Sequence, residues 1–247
     1  MFKNKGLAGK MLRLPLKAIP DGMVLPILNG DLRGAKWIAG SSTNGCWLGI
    51  YERAVQVLLG RHLQPEAVFY DIGANVGFFS LLASRLVGSR GRVVAFEPLL
   101  RNISFLKSHL KLNRISNVIV LETALGDFDG TVRLDSGKGP STAAVGDTGE
   151  VISLQTLDSV IGSGQIPPPN VMKIDIEGYE TQMLKGAETT IKAAKPDIIL
   201  SAHGWKRRDE CIHLLEEWGY TVTVFHAVED EGDYGLLAVP QGAPFCA

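Results

Sequence analysis

The chain has 247 residues, of which 45% are hydrophobic and 21% charged, proportions that exclude disordered and collagen-like classes and fit a folded globular protein. Its formal net charge of −1 excludes a global field that recruits nucleic acid, so no nucleic-acid partner is expected. No apolar run reaches the ~18 residues of a transmembrane helix, and Cys46, Cys211 and Cys246 are too scattered for a disulfide framework or zinc knuckle, fitting a reducing, cytoplasmic setting.

Residues 1–20 carry Lys3, Lys5, Lys10, Arg13 and Lys17 and no acid. Mixed with Leu7, Met11, Leu12, Leu14 and Leu16, such a lead can rest on an anionic membrane surface. Pro15 and Pro20 interrupt it, which favours a solvated segment whose apolar residues dock on the main domain. The apolar stretches are too short for a signal peptide. The expected organisation is an N-terminal lead and cap over residues 1–64 and a main domain over 65–247, forming one structural unit.

From Ala67 the sequence alternates β-rich and helical runs. Ala67–Ile72 reads as a strand, Val76–Leu86 as a helix stopped near Gly88, and Arg92–Phe96 as a second strand closed by Glu97-Pro98. Leu100–Leu112 reads as a helix with Ile103, Leu106 and Leu110 on one face, and Asn117–Leu125 as a third strand. Gly126–Gly149 is glycine-rich around a short β-like run at Thr131–Leu134, and predicts a hairpin with a mobile loop. Val151–Leu157 is a further strand, followed by the stiff Pro167-Pro168-Pro169 connector. The alternation resumes with strand Val171–Ile176, helix Tyr179–Ala194, strand Asp197–Ala202 and helix Arg208–Trp218. Strands Tyr220–Phe225 and Tyr234–Val239, joined by the acidic turn Glu229–Asp233, end the pattern. Such βα alternation predicts an α/β fold with a mostly parallel sheet and helices on both faces. Ligands in these sheets bind at the carboxyl ends of strands, where strand order reverses.

The first βα turn reads Asp71-Ile72-Gly73-Ala74-Asn75-Val76-Gly77. Gly73 permits a sharp exit from the strand, Gly77 permits close helix packing, and the helix N-terminus offers unpaired N–H groups to an anionic or zwitterionic head. The dinucleotide fingerprint needs a glycine where Asn75 stands, which disfavours a nicotinamide cofactor. Glu97 closes the second strand 24 residues after Gly73, near the spacing of an acid that hydrogen-bonds a ribose diol. The adenosine end of such a ligand would continue over Glu122-Thr123-Ala124-Leu125.

The third feature is Lys173-Ile174-Asp175-Ile176-Glu177-Gly178-Tyr179-Glu180. In a strand, Lys173, Asp175 and Glu177 share one face. Acids at a buried strand end are expensive unless paired, hydrogen-bonded or used. They could hold Mg²⁺ or take a proton from a substrate hydroxyl; otherwise Asp175 pairs with a lysine and Glu177 is a first-turn helix acid. His203 ends the next strand, where adjacent parallel strands bring it within reach of Asp175, as a candidate catalytic or metal residue. His62, His109, His213 and His226 read as structural.

These residues together resemble the FkbM-type family of S-adenosylmethionine-dependent methyltransferases. The resemblance runs from Trp47-Leu48-Gly49-Ile50-Tyr51-Glu52 to Gly219-Tyr220, through VFYDIGANVGFFSLLASRLVG, VVAFEP, ETALGD, Thr156–Asp158 and KIDIEGYE with Leu184-Lys185-Gly186-Ala187. It implies a Rossmann-like, seven-stranded class I methyltransferase fold with an antiparallel edge. It implies that Asp71, Gly73, Asn75 and Gly77 hold the methionine moiety of the cofactor, with Glu97 at its ribose and Ala124 and Leu125 near adenine; Glu52 joins this cofactor-binding group. Asp175 and Glu177 would face the transferred methyl. The acceptor implied is a hydroxyl of a sugar, glycan or natural-product-like small molecule. Many relatives carry an acid where this chain has Ser201, which bears on the role of His203. The segments Gly126–Gly149 and Trp47–Glu52 are expected over the cleft, since loops at strand ends carry specificity. The competing readings are a nicotinamide-dependent oxidoreductase and a non-catalytic cofactor-binding protein.

Overall fold

The computed structural model describes residues 19–135, 144–228 and 232–242. The basic lead, Cys246, the centre of the glycine-rich segment and the tip of the acidic turn lie outside these residues. The chain divides into two compact units, Met1–Tyr51 and Glu52–Ala247. In the first, β1 (Val24–Pro26) pairs antiparallel with β2 (Lys36–Ile38), ahead of the short helix α1 (Asn44–Leu48). Trp37 is fully buried there.

The second unit begins with α2 (Arg53–His62), β3 (Val68–Ile72), α3 (Phe78–Val87), β4 (Arg92–Phe96), α4 (Leu100–Leu112) and β5 (Val118–Leu121). A central stretch follows, with β6 (Ala124–Leu125), β7 (Gly130–Asp135), β8 (Ala144–Gly146), β9 (Glu150–Gln155) and α5 (Leu157–Gly162). The unit ends with β10 (Val171–Ile174), α6 (Glu180–Lys185), α7 (Glu188–Ala194), β11 (Asp197–His203), α8 (Trp205–Glu217), β12 (Tyr220–Val228) and β13 (Asp233–Pro240).

Seven strands form the main sheet in the order β12-β13-β11-β10-β3-β4-β5. The five strands from β11 to β5 run parallel, and β13 is antiparallel to both β11 and β12. Winding starts at β3 and proceeds outward in both directions, so the first βα turn lies at the switch point, beside the end of β10. Alternate residues Tyr70, Ile72, Val94, Phe96, Met172 and Ile174 join one core with Leu184, Ile191 and Leu215. Phe69, Val93 and Ala95, which alternate with them along β3 and β4, are also fully buried. Strands buried on both faces read as continuous apolar runs, which is why AVFYDI and RVVAF are legible as parallel strands.

Three expected elements are corrected. The strand expected over Asn117–Leu125 stops at Leu121; Ala124–Leu125 leaves the main sheet and pairs with β9 in a second sheet of order β6-β9-β7-β8. The departure is fixed by Gly126 N donating to Gln155 O at 2.9 Å. The helix expected over Tyr179–Ala194 breaks at Gly186, where a Cβ would lie 1.8 Å from Gly126 O. A crossing backbone occupies the space a continuous helix needs. The strand expected over Val171–Ile176 ends at Ile174, so Glu177 reaches its place through a turn rather than through strand alternation. Among the described residues no helix is long and apolar enough to cross a membrane.

Candidate active site

The turn after β3 is fastened to the end of β4. Gly73 N and Ala74 N both donate to Phe96 O at 3.0 Å. Gly73 takes φ +78°, and a Cβ there would sit 2.0 Å from Asp175 O, so only glycine lets β3 and β10 end side by side. Asn75 is also left-handed, at φ +51°; asparagine tolerates this region better than most residues. Its backbone N donates to Glu97 Oε2 at 2.8 Å, and its buried Oδ1 has no partner among the described residues. Gly77, at φ +91°, starts α3 against Leu106.

Glu97 is buried, and Oε1 accepts from Leu99 N at 3.0 Å and Asn102 Nδ2 at 3.2 Å. Burial pushes its carboxyl up to about 7, against the pull of these hydrogen bonds.

Below the turn lies a buried charge cluster. Asp71 is fully buried; Oδ2 accepts from Ser80 Oγ at 2.6 Å, and Oδ1 has no partner among the described residues. Burial raises its carboxyl above the usual range, with Lys173 and Ser80 opposing. Lys173 stands in register with Asp71 across the parallel pair, and its Nζ lies 3.2 Å from Asp175 Oδ2 and 5.0 Å above the Phe79 ring. Burial pulls the Lys173 ammonium down, but Asp175, Asp71 and Glu52 more than offset it, and it stays protonated.

Past β10 the chain turns through Glu177 at φ +53° and Gly178 at φ +102°. This turn aims the Glu177 carboxylate at His203, whose Nε2 is 3.5 Å from Glu177 Oε2 and 3.8 Å from Asp175 Oδ1. On the opposite side of the ring, Nδ1 is 2.7 Å from Oε1 of Glu180, a residue with no exposed surface. That same Oε1 accepts from Gly178 N at 2.8 Å. Burial lowers His203, but the hydrogen bond and charge of Glu180, then Asp175 and Glu177, raise it to about 9. It stands as an imidazolium at neutral pH. Burial raises the Glu177 carboxyl, with His203 opposing.

These ends enclose a cleft of about 640 Å³, open to solvent. Of the expected residues, Gly73, Asn75, Glu97, Ala124, Leu125, Asp175 and Glu177 line it. Asp71, Gly77, Glu52 and His203 stand behind this lining: Asp71 and Glu52 act on Lys173, Gly77 on helix packing, and His203 on the two carboxylates. Leu134, within the Gly126–Gly149 segment expected over the cleft, and Leu154 reach it from the second sheet; sequence reasoning missed Leu154 and Tyr179. It also missed Asn102 and assigned no role to Glu180, although Glu180 ends the KIDIEGYE run. Two of the other histidines make contacts within the fold: buried His109 bonds Val76 O at 2.8 Å, and His62 meets Asp197 at 2.8 Å.

The cleft fits an adenosyl cofactor in chemistry as well as position. It offers the Glu97 carboxylate, Asn75 Oδ1 with no partner among the described residues, and apolar walls from Phe96, Leu99, Leu125, Leu134 and Leu154. Ligand atoms of Asp175, Glu177 and His203 all lie within 4.8 Å of one another. They fit Mg²⁺ poorly, since that ion takes oxygen ligands and a charged imidazolium offers N–H groups instead of a lone pair.

The family model described as the methyltransferase FkbM domain matches residues 71–222. The chain is 26% identical over 187 residues to the hexuronic acid methyltransferase AglP of Haloferax volcanii, covering 73% of this chain and 74% of that protein. It is 27% identical over 199 residues to the 31-O-demethyl-FK506 methyltransferase FkbM of Streptomyces tacrolimicus, covering 66% and 76%. A crystal structure of methyltransferase FkbM from Methylobacillus flagellatus superposes with a TM-score of 0.52 at 22% identity, covering 70% of this chain and 43% of that one. The chain thus spans less than half of the Methylobacillus protein, and that likeness is one of fold, the class I methyltransferase fold. With more than half of its length matched by the family model, the chain belongs to the FkbM family of methyltransferases.

Proposed function

We propose that this methyltransferase uses S-adenosylmethionine to methylate a hydroxyl on a sugar or natural-product-like small molecule. One observation carries the reading: one cleft at the switch point is lined both by Asn75 and Glu97 and by Asp175 and Glu177. The names of the two relatives, one acting on hexuronic acid and one on 31-O-demethyl-FK506, support a small-molecule acceptor. Asn75, where the dinucleotide fingerprint has glycine, counts against the nicotinamide reading.

The cofactor supplies an already activated methyl group when bound. Gly73 and Asn75 receive its amino-acid head, Glu97 accepts from its ribose, and Ala124, Leu125, Leu134 and Leu154 flank its base. The remaining work is alignment and proton removal. A sugar hydroxyl is far too weak an acid to lose its proton unaided at neutral pH, so it needs a nearby acceptor. Asp175 has each carboxylate oxygen facing a cation, Lys173 at 3.2 Å and His203 at 3.8 Å. Glu177 has one cationic partner among the described ion pairs, His203 at 3.5 Å, and burial has already raised its carboxyl. Glu177 would therefore take the proton of the acceptor hydroxyl as its oxygen receives the methyl group, and Asp175 would orient that hydroxyl. His203, already protonated, holds both carboxylates and is not the base.

Calorimetry with S-adenosylhomocysteine and with NADH tests the reading. Saturable binding of the first and none of the second is expected; the reverse order of affinity defeats it.

A further inference from the structure

Glu97 is held by three N–H groups from two segments. Asn75 N on the first turn binds Oε2, while Leu99 N and Asn102 Nδ2 both bind Oε1. A carboxylate offers about four lone-pair sites. Three are used here, which leaves the open capacity on Oε2. Two of the donors are backbone groups that the fold supplies with any sequence. Asn102 is different: it stands in the first turn of α4, 1% exposed, where asparagine is a poor helix former. Its amide has a set direction, because Arg101 Nη1 donates to Asn102 Oδ1 at 3.3 Å and turns Nδ2 toward Glu97.

We infer that Asn102 is a positioning residue for the cofactor: its amide pins Glu97 Oε1 so that Oε2 faces the ribose hydroxyls as a carboxylate. The inference rests on the adenosyl-cofactor reading above. Glu97 sits in a place where this matters, since burial brings it to about 7, Asp71 on β3 adds to the rise, and the bonds from Leu99, Asn102 and Asn75 oppose it. Removing a donor to the ionised form raises the pKa further. Less of Glu97 is then ionised at neutral pH, and the ribose loses an acceptor.

The test is calorimetry of the full chain with S-adenosylhomocysteine from pH 6 to pH 9, on the wild type, Asn102→Ala and the isosteric Asn102→Asp. The wild type should lose affinity as pH falls through about 7. In Asn102→Ala the loss should begin at higher pH and leave binding about tenfold weaker at neutral pH, the scale of one charge-assisted hydrogen bond. Asn102→Asp keeps the shape, sets a second carboxylate beside Glu97, and should move the loss further upward. A merely structural role would weaken binding equally at every pH. If the wild type binds and both variants keep its pH profile, the inference is overturned. If the wild type does not bind at any pH, the cofactor reading itself has failed.

Discussion

Lys173 and Asp175, two residues apart, form an ion pair at 3.2 Å in which the lysine side chain is 4% exposed. The same ammonium faces Asp71 across the parallel register. One buried cation therefore ties the strand that leads into the first turn to the strand that leads to Asp175 and Glu177. Replacing Lys173 with Met should deprive Asp71 and Asp175 of this counter-charge, and breaking buried pairs in this way costs about 3–5 kcal/mol. Denaturant unfolding should show that loss; an unchanged midpoint would mean that the pair contributes nothing to the fold.

The Gly73 contact gives a sharper substitution. In Gly73→Ala the new Cβ would lie 2.0 Å from Asp175 O, at a φ of +78°. Neither strand end can retreat without parting β3 from β10. Binding of S-adenosylhomocysteine should fall by at least tenfold, with a lower melting temperature. Wild-type affinity in this variant would show that the strand ends can shift apart without harming the cleft.

The parallel core was legible because its strands are largely apolar and because acids stand at or just past the carboxyl ends of β3, β4 and β10. The breaks were not legible, since long-range contacts set them. Gly186 stops a helix because Gly126 O crosses it, and Thr123-Ala124 leaves the sheet because β9 waits beside it. In the site, acids at strand ends could be read as chemistry directly. Asn102 and Glu180 act through other side chains, so their roles depend on how separate segments meet. The one sequence signal for Asn102 was a poor helix former in the first turn of a well-formed helix.

Glu180 should separate binding from transfer. Neither Glu180 nor His203 lines the cleft, so Glu180→Gln should bind S-adenosylhomocysteine like the wild type while methyl transfer falls, on the order of 10²-fold, the lower range for a misaligned proton acceptor. Equal loss of both would make Glu180 a residue of the fold alone.

The same pair predicts a pH dependence of stability. His203 is raised from 6.5 to about 9 in the folded protein, so its contribution is complete below pH 6.5 and fades as pH rises through 9. Unfolding free energy should decline over that window in the wild type and decline less in His203→Gln. Identical slopes would contradict the imidazolium assignment.

The donor set around His203 predicts that EDTA leaves turnover unchanged and that added Mg²⁺ does not raise it. A rate abolished by EDTA and restored by Mg²⁺ would mean that the two carboxylates hold a cation and His203 loses its proton.

The central claim is methyl transfer to oxygen beside Glu177 and Asp175. It is tested most directly by incubating the full chain with methyl-¹³C-labelled S-adenosylmethionine and methyl glucuronoside or methyl glucoside, with ¹³C NMR of the products. An O-methyl ether resonance that forms with the wild type and is lost in Glu177→Gln is the predicted result. Label that appears only on nitrogen or in a carboxylate ester, or an ether that forms equally well in Glu177→Gln, would contradict it.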